Sequence, residues 1–343
     1  MSKLNLKELS LNISEKEYRN LNCYSYSTLS KFVNEGFGKL NTLFDKVESP
    51  SLLFGKVFDT LLTDKQNFNN LFVIYDDEHP SEKLLSIVKT IYNNFQVLSL
   101  DKLNDDIISN IGIENDYYAN SRYDKSRAQK IKDEINEYYL FYANNYGKDI
   151  ITSEIYNQVI DCVKTILNSN ETKHYFLENE NCEYFYQLKF KSKYNDIHVK
   201  CMIDYIIVDH NNKTIQPIDF KTTSNDEWKF GESYLKYNYY IQSTLYSNIL
   251  HNTIISDLSN YTILPFKFIV INKDNLKPLI FTDNIDNDIY FYRFGKPINK
   301  NYTYQILEEL DYYLHNEVDY PKEIEEIRSE DKSINIDQCI KFI

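Results

Sequence analysis

Two periodicities divide this chain. Up to about residue 180 the apolar positions recur at helical spacing, and beyond it they alternate. Tyr24-Ser25-Tyr26-Ser27-Thr28-Leu29-Ser30-Lys31-Phe32 reads as a helix start capped by Ser25 or Ser27. Ser49-Pro50-Ser51 opens a second helix. Leu52, Leu53, Phe54, Val57, Phe58, Leu61 and Leu62 give that helix an apolar face. Helical patterns return near 80–95, 123–146 and 152–168. Residues 66–75 read as extended, and the Asn- and Asp-rich stretch 100–122 reads as loop.

After residue 180 the run Glu183-Tyr184-Phe185-Tyr186-Gln187-Leu188-Lys189-Phe190 alternates, and a turn follows at Tyr194-Asn195-Asp196. A second strand covers 197–208 and a second turn 209–213. A third strand covers 214–221. A long amphipathic helix is expected over 231–251, strands over 265–272 and 278–282, and a helical tail over 285–317. There is no internal repeat and no clear linker. The expected organisation is a polar N-terminal arm at 1–22, one domain at 23–320 and a C-terminal tail at 321–343. Within the domain, a helical part (23–180) wraps onto an α/β core (181–320).

The chemistry concentrates on the alternating strands. Asp204 closes Val199-Lys200-Cys201-Met202-Ile203-Asp204. Asp219 and Lys221 lie in Gln216-Pro217-Ile218-Asp219-Phe220-Lys221-Thr222-Thr223. Alternate residues of a strand share a face, so Asp219 and Lys221 point one way while Phe220 turns into the core. Glu183, Asp204, Asp219 and Lys221 thus fall on three successive strands, and neighbouring strands are about 4.8 Å apart. Two acids and an amine on an apolar sheet are costly unless something compensates. A hard divalent cation compensates, because carboxylate oxygens are its natural ligands. Taken singly, each of these charges is ordinary for a strand end. As a set they suit metal-assisted phosphodiester hydrolysis: carboxylates hold the ion, and the lysine stabilises charge or orients the attacking water. Gln242 and Tyr246, four apart on the expected long helix, share a face. They are either the polar edge of a core stripe or an approach to a substrate backbone.

Composition narrows the partners. The 343 residues are 42% hydrophobic and 15% aromatic, a globular balance. The formal charge of −13, with a pI near 5.0, argues against a generic nucleic-acid coat but not against a nuclease. Segment 121–132, with Arg122, Lys125, Arg127, Lys130 and Lys132, is either a local phosphate-tracking cluster or a solvated helix face. Cys23, Cys162, Cys182, Cys201 and Cys339 form no CxxC pair, which fits reduced thiols in a cytoplasm. No apolar run approaches the roughly 20 residues of a membrane span. The expected protein is cytoplasmic, in the host cytoplasm if phage-encoded, with no membrane partner.

These motifs, in this order, resemble the PD-(D/E)XK nuclease superfamily, in the branch of RecB-type and RecE-type (exodeoxyribonuclease VIII-like) phage exonucleases. Asp204 matches the acid of the first strand motif, and Asp219 with Lys221 matches the D/E-x-K element. Glu183 resembles an upstream acid. Gln242 and Tyr246 match a Q-x-x-x-Y motif. Phe54-Gly55-Lys56-Val57-Phe58-Asp59 resembles a G-x-x-x-H helix motif, with Asp59 in place of the histidine, a change towards all-oxygen coordination. The family's glycine before the first acid is replaced by Lys200-Cys201-Met202. The resemblance implies a restriction-endonuclease-like α/β core, a mixed central sheet flanked by helices. It implies one or two Mg²⁺ or Mn²⁺ ions held by Asp204, Asp219, Glu183, Asp59 and the Phe220 backbone carbonyl. Lys221 would assist the water, and Gln242 and Tyr246 would position the DNA strand. Some relatives carry an iron–sulfur cluster on one early and three late cysteines. Here Cys339 is the one late cysteine, so no cluster is expected. The implied activity is exonucleolytic hydrolysis at double-stranded DNA ends in phage-type recombination or replication. The implied partners are DNA, a single-strand annealing recombinase and further copies of the chain. The alternatives are an endonuclease, a Cas4-like single-strand nuclease without the cluster, and a non-catalytic DNA-binding protein that retains the fold.

Overall fold

The alternating half of the sequence becomes one mixed sheet. The computed structural model describes residues 4–45, 47–119, 124–256, 260–283, 291–293, 296–298 and 302–316. The expected tail at 321–343, with Cys339, lies outside the described residues. Contacts separate two compact units, Met1–Lys65 with Gln158–Ile343, and Gln66–Asn157. The sequence reading draws a single domain over 23–320, and the second unit interrupts that span.

In the first unit, helix α1 (Pro50–Thr63) starts as expected. The Ser49 hydroxyl accepts the Leu52 N–H at 3.2 Å, and Pro50 occupies the first turn, where its missing N–H costs nothing. Strands β1 (Cys182–Tyr194), β2 (Ile197–Asp209) and β3 (Thr214–Thr223) form an antiparallel meander. Strand β4 (Lys267–Asn272) joins β3 in parallel, and β5 (Pro278–Thr282) lies antiparallel to β4. The short strand Thr262–Ile263 also pairs with β3 in parallel. Parallel neighbours need a crossover, and two helices supply it: α2 (Phe230–Lys236) and α3 (Tyr239–Ser256). The architecture is mixed α/β, with a mixed central sheet flanked by helices. On one face Phe58 of α1 packs edge-on to Phe220, and Phe176 stacks on Tyr205. On the other, Leu245 and Ile249 of α3 join Ile203, Ile206, Ile215 and Phe268 in the main core.

The crossover differs from the single helix expected over 231–251. Asn238 takes a left-handed φ of 57°, which ends α2 and restarts the helix at Tyr239. Asparagine tolerates that region better than most residues. Its buried amide donates to Ser30 Oγ at 3.2 Å and Asn34 Oδ1 at 3.1 Å, and the Tyr26 hydroxyl donates to the Tyr237 carbonyl at 2.6 Å. Tertiary bonds thus satisfy the break. The expected helical tail over 285–317 is helical over Tyr302–His315, while Phe291–Arg293 and Lys296–Ile298 pair as short strands.

The N-terminal segment is a docked part of the first unit and not a free polar arm. Leu4 and Leu6 are buried, and helices span Leu6–Leu9 and Glu15–Arg19. Its anchor is Lys200, 7% exposed, whose ammonium donates to the carbonyls of Tyr18, Arg19 and Leu21 at 3.0, 2.9 and 2.9 Å. A cation at a helix C-terminus satisfies carbonyls that the helix leaves open.

The second unit is mainly helical. Helices Glu82–Phe95, Asp105–Glu114 and Asp124–Asn144 pack around Ile87, Val88, Ile108, Ile131, Ile135 and Tyr139. The helix at 105–114 replaces part of the loop expected over 100–122. Its acidic residues sit at the ends, with Asn104 capping Asp106 N–H at 3.1 Å, while Ile108 and Ile111 turn inward. The basic segment is committed internally. Arg127 is buried and donates to Ser109 Oγ at 2.6 Å and the Tyr118 carbonyl at 2.9 Å, and Lys132 pairs with Asp105 at 2.7 Å. Residues 121–123 lie outside the described residues. For Arg127 and Lys132, structural use replaces phosphate tracking.

Lys200→Met should cost about 2–3 kcal/mol, because three carbonyls lose a charged donor. Urea titration checks this, with a lower midpoint at an unchanged m-value expected.

Candidate active site

The site forms where a ladder opens. Strand β2 is long enough to pair on one edge with two partners. Near its start it bridges Tyr24 at Val199, and the Lys200 N–H donates to the Tyr24 carbonyl at 2.8 Å. Towards its end it pairs with β3, from Tyr205↔Ile218 to Asp209↔Thr214. Asp204 stands in the gap between these pairings. Its Oδ2 accepts the Phe220 N–H at 3.0 Å, so a side chain replaces a backbone rung. In a strand the N–H and C=O of one residue point to the same edge. The Phe220 carbonyl therefore faces this opening too, where a ligand could reach it. The ring of Phe220 is buried, as its alternation with Asp219 and Lys221 predicts.

Four expected residues meet here, Asp59, Asp204, Asp219 and Lys221. Asp219, 2% exposed, receives Lys221 Nζ on Oδ2 and the Gln242 side-chain amide on Oδ1. Asp204 faces Asp219 closely enough that each carboxylate opposes the other's charge. Burial, then the charges of Asp219 and Asp59, push the Asp204 carboxyl well above the ordinary carboxylate range. Asp59 of α1 belongs to the same group. Burial first, and then the Asp219 charge, push it up to about 7. Burial pulls the Lys221 ammonium down, but the Asp219 carboxylate, with Tyr239 and Asp204 beside it, outweighs burial and holds the group above its usual range. The side chain of Gly55 would lie one turn from Asp59 on the same face. A Cβ placed there meets nothing within 4 Å, so the space beside the acid is open.

Gln242 and Tyr246 are placed differently from a strand-gripping pair. They are 4% and 8% exposed. Gln242 spends its amide on Asp219, while its Oε1 is buried without a hydrogen-bond partner. Tyr246 packs edge-on to Phe266 at 6.2 Å, and burial raises its hydroxyl pKa. Both support the floor of the site, and neither lies open to a strand.

Glu183 does not reach the cluster. The hairpin register sets it opposite Val208, four residues past Asp204, or about 13 Å along the strand. Its carboxylate lies 3.4 Å from His210 Nε2. The residue opposite Asp204 is Gln187, because Tyr186 pairs with Tyr205 and Leu188 with Ile203. Gln187 also has a left-handed φ of 50°, strained for a residue within a strand. The sequence carried a usable signal. With a two-residue turn at Asn195-Asp196, seven positions back along β1 reach Gln187 and seven forward along β2 reach Asp204.

A divalent cation is implied by the motifs, and the donor set fits one in kind. Asp59, Asp204 and Asp219 offer oxygens alone, and the carboxyls of Asp59 and Asp204 are pushed up first by burial and then by the Asp219 charge, a repulsion that a cation would relieve. The side chains as placed are not closed into a cage. Among the described residues no three His, Cys, Asp or Glu side chains gather tightly enough to hold an ion. Lys221 takes the compensating role at Asp219 in this arrangement.

No family model matches the sequence, and no curated protein matches it. Among solved structures, the chain is similar to one from Eubacterium rectale named "Putative exonuclease". The two share 12% identity over 89% of this chain and 84% of the other, with a TM-score of 0.40. A likeness at that level carries no argument about activity. Among the described residues no helix is long and apolar enough to cross a membrane.

The acids set a pH dependence in chelator. Asp59 has its folded pKa raised from the usual 3.8 to about 7, and Asp204 moves the same way. The contribution of Asp59 to stability is fully present below the unfolded value near 4 and is lost as pH rises through about 7, and that of Asp204 is lost in the same direction. The urea midpoint should therefore fall between about pH 4 and pH 7, and Asp59→Asn should flatten that fall.

Proposed function

We propose that this chain is a metal-dependent DNA nuclease, acting as an exonuclease on double-stranded ends. The observation that carries the reading is the convergence of Asp204, Asp219 and Lys221, with Asp59 beside them, at the opening between β2 and β3. A bound Mg²⁺ or Mn²⁺ would polarise the scissile phosphate and make water a nucleophile near neutral pH. Asp204, Asp219 and Asp59, with the Phe220 carbonyl, are the residues that would hold it. Gln242 orients Asp219 by bonding one oxygen and leaving the other to face the site. Lys221 pairs with Asp219 at rest and would turn its ammonium to charge developing on the phosphate. The Tyr239 ring, 4.8 Å from Nζ, keeps that ammonium charged and aimed. A DNA end is the proposed substrate, with an annealing protein and further copies of the chain as partners by resemblance.

One observation favours a second reading, a DNA-binding protein without catalysis. The Lys221–Asp219 pair already balances charge, and the three acids are not drawn into a cage. Lys221→Ala separates the two readings. In a nuclease it should lower Mg²⁺-dependent cleavage about 100-fold or more while DNA binding persists. End-labelled linear and closed circular DNA, each with Mg²⁺, Mn²⁺ or chelator, tests the substrate form. Loss of linear DNA alone is the expected result. Equal attack on circles would make it an endonuclease, and no metal-dependent cleavage of either would sink the proposal. Glu183→Gln should leave the cleavage rate within about twofold of the original, since its carboxylate lies some 13 Å along the sheet from Asp204.

A further inference from the structure

Lys221 stands at the inner end of a short series of rings. Its neighbour Tyr239 lies 5.7 Å from Tyr237 at an interplanar angle of 38°, and stacks on Phe230 at 5.7 Å and 18°. Helix α2 runs between these contacts, since Phe230 begins it and Tyr237 follows its last residue. At each end of α2 an aromatic side chain turns outward. Trp228 is 66% exposed and Tyr237 is 44% exposed. Each has the adjacent lysine over its ring, Lys229 at 4.9 Å from the Trp228 centroid and Lys236 at 5.3 Å from that of Tyr237. Trp228 also lies on the segment that leads directly from the end of β3, the strand of Asp219 and Lys221.

Among the described residues Trp228 is the most exposed of the large hydrophobic side chains, which leaves a ring face open to a contact. The chemistry of the contact follows from the lysines. An exposed ring offers a face to a nucleobase, and a cation beside it offers a partner to the phosphate of the same nucleotide. Lysine is depleted from the centres of protein interfaces, which counts against a protein partner. The patch is not a basic track. Lys229 pairs with Asp226 at 3.5 Å, Asn275 donates to Glu227 at 3.1 Å, and Glu232 lies on α2. Phosphate attraction alone would therefore be weak here, and stacking is the stronger contribution. Stacking requires bases that are free of a duplex.

We propose that Trp228 and Tyr237 are stacking platforms for unpaired bases of the strand whose phosphate reaches Lys221. This rests on the nuclease reading above and adds that the strand enters the site single-stranded, as a frayed or displaced end.

The chain has one tryptophan, so selective tryptophan excitation reports Trp228 alone. The probe is an oligothymidylate about 12 nucleotides long, added to the whole chain in chelator so that nothing is cut. Its binding is followed in parallel by the anisotropy of an end label. Quenching of tryptophan emission with the same midpoint as the anisotropy change is the expected result. Trp228→Ala and Tyr237→Ala should each weaken binding about tenfold, a typical loss for one stacked base, and Trp228→Phe should restore most of it. Both positions are solvent-facing, and a circular dichroism spectrum confirms that the variants fold. Binding by anisotropy with unchanged emission, and with wild-type affinity in both alanine variants, would overturn the platforms and leave the nuclease reading standing. So would equal quenching by a blunt, fully paired duplex of the same length. Absence of binding to any DNA, single or double, would overturn both.

Discussion

Three carboxylates share the neighbourhood of one ammonium group, and the site depends on that imbalance. Removing an ion from water costs several kcal/mol even after a protein relaxes around it. Asp219 meets that cost with two partners, Lys221 on one oxygen and Gln242 on the other. Asp204 meets part of it with the Phe220 N–H. Asp59 has no comparable bond among the contacts that shift its pKa, and its carboxyl is pushed up to about 7. The chain thus buries three acids beside one ammonium, with the carboxyls of Asp59 and Asp204 pushed above the ordinary range. That is a poor way to stabilise a fold, since well-packed apolar residues serve as well as a buried ion pair. It is a good way to keep a place for positive charge.

The fold creates that place by interrupting regular structure twice. The first interruption is the gap along the edge of β2, between the Tyr24 bridge and the β3 ladder. It frees the Phe220 N–H and carbonyl from sheet bonding and lets Asp204 insert. The second is the helix break at Asn238, which brings Tyr239 over Lys221 and starts α3 so that Gln242 reaches Asp219. Each break is stabilised from the N-terminal segment. Tyr24 supplies the bridge to β2, and Tyr26, Ser30 and Asn34 satisfy the Tyr237–Asn238 joint. Lys200 ties the preceding helix to the same strand. The helix read at Tyr24–Phe32 thus braces both breaks, and the stretch read as a polar arm is tied beside it through the carbonyls of Tyr18, Arg19 and Leu21.

What could be read in advance follows from the range of each interaction. Alternation is local, so the shared face of Asp219 and Lys221, the inward Phe220 and the strands at 182–223 were legible. So was the long-range meeting with Asp204, because short turns limit how a meander can fold. Glu183 failed on register: it has the correct face but lies four residues too far along. Asp59 entered through motif resemblance alone, since a lone acid on an apolar helix has no local signature. Gln242 was identified by spacing, but its task was not. A strand-gripping amide and an acid-orienting amide look alike until burial is known. The breaks at Asn238 and the helix at 105–114 were missed for one reason. Asn and Asp read as loop formers, yet in both places they serve as caps and joints within helical structure.

The chain's acidity bears on how such a site could choose its substrate. A body of net charge −13 gains little from the long-range attraction that draws basic proteins onto duplex DNA. Two cations at the site and the ring patch are already paired, Lys221 with Asp219 and Lys229 with Asp226. On the proposed nuclease reading, affinity would then come from short-range contacts, and short-range contacts discriminate. Rings that stack on bases favour a strand that has left its duplex, and an ion held by acids favours the phosphate beside it. The surrounding negative charge repels the uninterrupted double helix. Selectivity for an end over an internal stretch would therefore arise from what the surface refuses as much as from what the site binds.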